Sequence, residues 1–306
     1  MSFMDRVYQR AREIKARIVL PEGDDPRVRE AASRIEREGL GIVQVLDAKT
    51  PHAARPTMIA LLRSRRPDKF PTDAAAATAL EHPLLRGACL VGLGEADVMV
   101  GGARYPTADT IRAALWTVGP ATGITTVSSA FYMIKDDRVL TFADCAVVPE
   151  PTSLQLADIA YAAAQDRRSI VGDDPVVAFL SYSTHGSAKG DAVDLVRKAV
   201  SDLTMRLPGV KFVFDGELQA DAALVPEVAA SKAPRSPVAG RANVLIFPNL
   251  DAGNIGYKLV QRLGGWTALG PILQGLARPI ADLSRGATSD DIVDTAAIAI
   301  LQSRRG

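Results

Sequence analysis

Near the end of the chain, Ser284 and Arg285 stand just ahead of Asp290 and Asp291 in the run IADLSRGATSDDIVDTAAIAIL. The apolar spacing that follows reads as a closing helix. Thr288 or Ser289 can cap its first free N–H groups, and the two aspartates suit the positive end of its dipole. A guanidinium at that same positive end is poorly placed unless it has an anion to hold. Arg285, with the Ser284 hydroxyl beside it, therefore points to a small anionic ligand. A second stretch, SYSTHGSAKGD, has the same leaning. An apolar strand ends, Ser183, Thr184, Gly186 and Ser187 follow, and a helix begins, which aims N–H groups and hydroxyls at a phosphate or similar anion. Lys189 precedes Gly190 rather than following a glycine, and no G-x-G-x-x-G comes after a strand, so a P-loop nucleotidase and a Rossmann dehydrogenase both lose their usual support.

Other chemistries find less. His52, His82 and His185 are scattered, without H-E-x-x-H, C-x-x-C or EF-hand spacing, which argues against a metal site. There is no G-x-S-x-G elbow for a serine hydrolase. With 36 Lys+Arg against 35 Asp+Glu, the net charge of +1 gives no electrostatic case for a nucleic-acid partner. Cys89 and Cys145 fall in apolar, strand-like runs and read as core fillers in a reducing compartment. The opening MSFMDRVYQRAREIKAR has no apolar stretch, and Asp5 and Glu13 dilute its basic face, so it reads as neither signal nor transit peptide. No run approaches the ~18 apolar residues of a membrane span. The expectation is a soluble, cytoplasmic protein without membrane contact.

The elements that must position these residues alternate. Strand patterns fall at ARIVLP, GIVQVLD, ACLVGL, ADVMVGG, GITTVSSAFYMI, RVLTFADCAVV, VVAFLSYS, KFVFDG, NVLIFP and TALGPIL. Amphipathic helices fall between most of them, such as PRVREAASRIERE, TADTIRAALWTV, SLQLADIAYAAAQD and DAVDLVRKAVSDL. That alternation predicts an α/β protein with parallel-rich sheets covered by helices. SSAFYMI and RVLTFADC are joined only by Lys135, Asp136 and Asp137, too short for a crossover, so they should form an antiparallel hairpin and mark the edge of a second domain. Ligands in such sheets bind at the carboxyl ends of strands, which draws attention to the turns GGARYPTADTIR, SYSTHGSAKGD, FDGELQAD and FPNLDAGNIGYK.

The runs DGELQADAAL, NVLIFPNLDAGNIGYKLVQRLGG, GPILQGLARPIADLSRG and STHGSAKGD closely resemble the phosphate acetyltransferase and phosphate butyryltransferase family. LPEGDDPRVREAA and FADCAVVPEPT extend the likeness over nearly the whole chain, and the long runs resemble the acetyl enzymes more than the butyryl ones. The resemblance implies two α/β domains of isocitrate/isopropylmalate dehydrogenase-like architecture, residues 1–128 with 274–306 and an inserted domain of residues 129–273, with the active site in the cleft between them. It implies reversible transfer of acetyl between CoA and phosphate, with CoA or acetyl-CoA as substrate, no tightly bound cofactor, no metal, and a homodimer. A butyryl-transferring enzyme and a non-catalytic acyl-CoA-sensing domain are the alternatives. A dehydrogenase of the isocitrate group is disfavoured because clustered metal-binding aspartates are missing.

Carried onto this chain, the family's catalytic base falls on Asp291, Arg285 becomes the clamp on the phosphoryl oxygens, and Ser284 a donor to the same group. Thr107 and Arg112 would complete the acetyl phosphate pocket, although Arg112 reads equally as part of a salt-bridged helix face. Ser183, Thr184, Gly186, Ser187 and Lys189 would line the cleft from the other domain. Asn249, Gly253, Asn254 and Gly256 read first as tight-turn residues and second as phosphate or CoA contacts. Arg65 best matches the family's arginine near CoA, with a solvated helix end as the plainer account of Arg63, Arg65 and Arg66. The chain departs from the family pattern in two places. DAKTPHAARPTMIALLRSRRPDK is shorter than the usual segment, and Tyr105 and Pro106 stand where His-Ser is usual.

Overall fold

The alternating pattern closes into two separate sheets in the computed structural model of the chain, which describes residues 1–47, 53–206, 210–238 and 240–304. His52 and the start of the shortened segment, residues 48–52, lie outside the described residues. The chain divides into two compact units, one formed by Met1–Thr122 with Leu276–Gly306 and the other by Gly123–Gly275.

The first unit runs α1 (Phe3–Ile14), β1 (Ala16–Leu20), α2 (Pro26–Arg37), β2 (Gly41–Val45), α3 (Arg55–Arg65), α4 (Asp73–Ala79), α5 (Pro83–Leu93), β3 (Val98–Gly101) and α6 (Thr107–Thr117). The second unit holds β4 (Ser128–Lys135), β5 (Arg138–Ala143), α7 (Ser153–Ile170), β6 (Val176–Leu180), α8 (Asp191–Arg206), β7 (Val213–Leu218), α9 (Ala220–Leu224), α10 (Pro226–Lys232), β8 (Val244–Ile246), α11 (Leu250–Gly264) and β9 (Thr267–Gln274). The chain then re-enters the first unit with β10 (Ile280–Asp282) and α12 (Ser289–Gln302).

In the first unit the strands lie in the order β10-β3-β1-β2, all parallel. β3 and β10 are buried at every position, as parallel strands covered by helices must be. α12 packs on β3 and β10 and against α1 and α2, and buries Ile292, Ile298, Ile300 and Leu301 almost completely. Each such side chain contributes roughly 1.5–3 kcal/mol of transfer free energy, so the first turn of α12 stands on a rigid base.

One expected strand is a helix. ACLVGL belongs to α5, which buries nine of its eleven residues. An apolar run of that length does not distinguish a buried strand from a buried helix by period. The flanks decide it: Pro83 opens the helix at its first position, and Gly94, at φ 76°, closes it in the left-handed region. Cys89 is thus a buried free thiol on a helix rather than a strand, and Cys145 is buried just beyond β5. The short β10, three residues long, has no pattern of its own in the sequence.

The second unit's sheet is ordered β7-β6-β8-β5-β4-β9. β5, β6, β7 and β8 pair in parallel, while β4 pairs antiparallel with β5 and β9. The β4–β5 hairpin forms as expected, with Lys135 opposite Arg138 and Asp136 taking the left-handed conformation at φ 52° that a tight two-residue turn requires.

Candidate active site

In the first unit three turns meet at the carboxyl ends of parallel strands. The turn after β1 supplies Glu22, a buried carboxylate that accepts hydrogen bonds from the backbone N–H groups of Gly102 (2.7 Å), Ala103 (3.0 Å) and Arg104 (2.8 Å). Three successive N–H groups closing on one anion fix the β3–α6 turn in a single conformation. Arg27, on α2, ties this turn to the one after β10. Its Nη2 donates to the Ala103 carbonyl at 3.0 Å, and its Nη1 donates to the carbonyls of Arg285 (3.0 Å) and Ala287 (2.7 Å). Asp25 completes the tie as ion-pair partner to Arg27 at 2.7 Å and cap of α2, and the Arg27 hydrogen bonds hold its carboxyl below the usual range.

The frame leaves Ser284 and Arg285 exposed. Ser284 Oγ accepts from Gly286 N at 3.3 Å, so its own proton remains available for a ligand. The Arg285 guanidinium makes no ion pair among the described residues. Thr107 opens α6, and Pro106 before it has no side chain that can cap, so the first N–H groups of that helix stay open to an anion. Thr107 Oγ1 lies 2.5 Å from Asp282 Oδ2, which joins α6 to the end of β10. Asp282 is 4% exposed, and its Oδ1 has no hydrogen-bond partner among the described residues. Burial pushes this carboxyl up to about 6, helped by the charge of Glu22 and opposed by the Thr107 and Thr110 hydroxyls.

Thr288 caps α12 in a reciprocal box with Asp291. The Asp291 N–H donates to Thr288 Oγ1, and Asp291 Oδ2 accepts from Thr288 N and from Thr288 Oγ1, both at 2.8 Å. Asp291 Oδ2 is therefore engaged, while the side chain as a whole remains exposed to solvent. Asp290 pairs with Arg34. Capping and the pair with Arg34 thus account for the place of both aspartates, and they leave Asp291 a second carboxylate oxygen outside the box, six residues along the chain from Arg285.

Two other candidates in this unit are engaged with neighbours of their own. Arg112 forms an ion pair with Asp109 at 2.7 Å and lies over the Trp116 ring, on the wall of a cavity of about 220 Å³ that His82 and Leu85 also line. The Tyr105 ring lies tilted against His82, with ring centroids 4.6 Å apart. Arg65 reaches the Val118 carbonyl at 3.4 Å, beyond the C-terminal end of α6 and so roughly 16 Å along that helix from Thr107.

In the second unit the loop after β6 is organised by Glu217. This carboxylate, 2% exposed at its side chain, accepts from Ser183 Oγ (2.8 Å), Gly186 N (2.9 Å), and Arg197 Nε (2.8 Å) and Nη2 (2.9 Å). Burial alone would raise it, but the Arg197, Gly186 and Ser183 hydrogen bonds prevail and bring it to about 2. Ser187 Oγ accepts from Thr184 N, and Thr184 Oγ1 accepts from Gln219 N, so the four small residues form one hydrogen-bonded turn, with Lys189 exposed at its edge. Asn254, in the first turns of α11, donates to the Cys145 carbonyl at 3.0 Å. Beside it, a Cβ on Gly253 would stand 2.2 Å from the Asp144 carbonyl oxygen, so only glycine lets α11 seat there.

Glu22, Arg27, Asp282, Arg197 and Glu217 were not singled out by sequence reasoning. All but Arg197 do fall inside runs that carry the family resemblance, LPEGDDPRVREAA, DGELQADAAL and GPILQGLARPIADLSRG. Among the described residues, no group of three or more His, Cys, Asp or Glu side chains is gathered as a metal centre would need.

A family profile described as Phosphate acetyl/butaryl transferase matches residues 2–58 and 41–300. The chain is 42% identical over 320 residues to a phosphate acetyltransferase of Paracoccus denitrificans, covering 99% of this chain and 100% of that one. It is 40% identical over 334 residues to a phosphate acetyltransferase of Clostridium acetobutylicum, with both chains fully covered at 100%. Among solved structures, a phosphotransacetylase from Streptococcus pyogenes superposes with a TM-score of 0.92 at 39% identity over 99% of each chain. Another from Staphylococcus aureus superposes at 0.90 and 38%, over 98% of this chain and 99% of that one. Family profile, full-length relatives and backbone agree with the runs around Gly186, Asn254 and Ser284, and the chain belongs to the phosphate acetyl/butaryl transferase family.

Proposed function

We propose that this chain is an acyltransferase that moves an acetyl group reversibly between coenzyme A and phosphate, acetyl-CoA plus phosphate giving acetyl phosphate plus CoA. The observation that carries this is the exposed Arg285 guanidinium, without an ion pair among the described residues, next to Ser284 on a frame held by Arg27 and Glu22, with Asp291 six residues further along the chain in the first turn of α12. A thiol with an ordinary pKa of roughly 8.5 is only slightly ionised at neutral pH, so attack on the acetyl carbonyl needs a base. Asp291 takes the thiol proton as sulfur bonds to the carbonyl carbon and phosphate leaves with the C–O bonding pair. Arg285 holds the phosphoryl oxygens as their charge grows, and Ser284 and Thr107 donate to the same group. No covalent enzyme intermediate is involved.

Ser183, Thr184, Gly186, Ser187, Lys189 and Asn254 of the second unit are assigned to substrate contact, Arg112 to the acetyl phosphate pocket with Thr107, and Arg65 to the CoA side. For Asn254 and Ser183 the hydrogen bonds described above give a structural duty as well. The two units are taken as the family's domain and inserted domain, and the working form as a cytoplasmic homodimer.

The test is CoA-dependent acyl transfer by the purified protein, with acetyl and butyryl phosphate compared and Asp291→Asn and Arg285→Ala run beside the wild type. Loss of a general base costs roughly 10²–10⁴-fold, so at least a hundredfold fall in acetyl turnover is expected in Asp291→Asn with folding retained, and a comparable fall in Arg285→Ala. A wild type inactive on both substrates would remove the transferase reading and bring the sensing domain forward. Preference for butyryl phosphate would move the chain to the other branch.

A further inference from the structure

Asp282 belongs to no part of the mechanism above, yet it is a buried carboxyl in contact with Thr107 of the phosphate pocket. Its Oδ2 is 2.5 Å from Thr107 Oγ1, and its Oδ1 lies against Gly102 without a hydrogen-bond partner among the described residues. Only one proton can lie between Asp282 Oδ2 and Thr107 Oγ1, and its origin decides what Thr107 presents outward. If Asp282 is ionised, the Thr107 hydroxyl must donate to it and can offer an anion only a lone pair. If Asp282 is protonated, it donates to Thr107, and the threonine proton is free to bond a phosphoryl oxygen. Resting on the assignment of Thr107 to the phosphate pocket, we propose that Asp282 is a positioning residue that sets the hydrogen-bond polarity of Thr107, so that binding of the phosphoryl dianion draws one proton onto Asp282.

The surroundings favour this device. Glu22, from the β1–α2 turn, is the charged group that bears most on Asp282, and it is negative. Thr107 and Thr110 face the carboxyl from α6, whose charged residues Asp109 and Arg112 pair with each other, with His82 beside Asp109. β3 brings only apolar side chains and glycine, and Arg86 of α5 bonds the Asp47 carbonyl. On α12, Asp290 pairs with Arg34, Asp291 bonds Thr288, and Asp294 bonds Tyr8. Arg27 is committed to Asp25. The nearby turns add the cations Arg104 and Arg285, whose side chains are exposed. None of these cations forms an ion pair with Asp282, and burial holds the carboxyl near about 6. An arriving dianion adds negative charge and shifts it further toward the protonated form.

Sulfate is the suitable probe, because it stays a dianion throughout the range. Its dissociation constant is measured by calorimetry from pH 5.5 to 8.5, in two buffers of different ionisation enthalpy, for wild type, Asp282→Asn and Thr107→Val. Above about pH 6 the competent fraction of the wild type falls with its protonated Asp282, so sulfate affinity should weaken by up to about tenfold per pH unit, with close to one proton taken up per sulfate. The side-chain amide introduced by Asp282→Asn donates to Thr107 permanently, so this variant should bind as tightly at pH 8 as at pH 6 and take up no proton. Thr107→Val should bind weakly at every pH and lose the slope. A wild-type affinity that is flat with pH overturns the proposal, as does a slope that persists in either variant. Circular dichroism of each variant separates misfolding from lost linkage. Because sulfate binding requires no turnover, an inactive enzyme would sink the transferase reading while leaving this linkage measurable.

Discussion

Glu217 and Asp282 are both almost completely buried, yet they are driven to opposite sides of the ordinary carboxyl range. Burial raises each, but Glu217 has Arg197, the Gly186 N–H and the Ser183 hydroxyl to hold its charge and falls to about 2. Asp282 has a hydroxyl partner and a second carboxylate nearby, and rises to about 6. Their effects on stability therefore have opposite signs. For Glu217 the unfolded chain binds the proton more readily, so its stabilisation is complete above the ordinary value of 4.5 and is lost as pH falls toward about 2. For Asp282 the folded chain binds the proton more readily, so stability falls as pH rises from the ordinary 3.8 to about 6 and is level beyond it. Chemical denaturation across pH 3–8 should show Glu217→Gln losing about 2 kcal/mol at neutral pH, because the Ser183 hydroxyl, the Gly186 N–H and Arg197 lose their charged acceptor while Arg197 keeps Asp194. The same variant should have a shallower acid limb. Asp282→Asn should instead flatten the decline between about pH 4 and 6. Neither environment was legible in the sequence, because a carboxyl's ionisation depends on partners twenty to 175 positions away, Arg197 for one and Thr107 for the other.

At the level of elements, the site depends on how tightly β3 passes β10. Gly102 lies just beyond β3 with φ +99°, and a Cβ there would stand 2.5 Å from Asp282 Oδ1. Gly102→Ala meets both a backbone conformation that L residues avoid and a collision with a buried carboxyl. A loss of about 2 kcal/mol or more is expected, read as a lower midpoint in denaturant, together with weaker anion binding because the Glu22-held turn shifts. Which elements could be foreseen follows from the kind of signal each carries. α12 declared itself through Thr288, the acidic first turn and the apolar period, and the β4–β5 hairpin through a connection too short for anything else. The ACLVGL run of α5 reads as a strand because it is buried on all sides and has no polar face to show a period. The information was in Pro83 and Gly94 at its ends. β10 is held in the sheet by β3 and α12 rather than by propensity, and a three-residue strand leaves no period to read.

For the molecule as a whole, family and reaction class were legible because long runs of sequence carry them, and the same runs carry the proposal for Ser284, Arg285 and Asp291. The frame beneath them, Glu22 and Arg27 bonding turns that are far apart in sequence, was not. One surface feature also follows from sequence spacing once α11 is known to be a helix. Ile255, Leu259 and Leu263 recur every fourth residue, so they share one face, and they are 56%, 52% and 83% exposed. α11 buries only Gly253 fully; Tyr257 and Val260 pack against the core of its own unit, while the Ile255, Leu259 and Leu263 face is turned to solvent. A stripe of large apolar side chains on a chain of net charge +1 has little repulsion to keep copies apart. The homodimer reading comes from the family resemblance, and we propose this stripe as its surface, with a second copy of the chain as the covering partner. Sedimentation equilibrium should find the wild type at twice the chain mass, and Leu259→Glu combined with Leu263→Glu should shift it to a single chain with an unchanged circular dichroism spectrum. Both positions are exposed in the isolated chain, so the charges cost its folding little, whereas two glutamates facing their copies across an apolar contact would be buried without partners. A wild type that sediments as a single chain would remove the homodimer, and a double variant that stays paired would place the contact on another face.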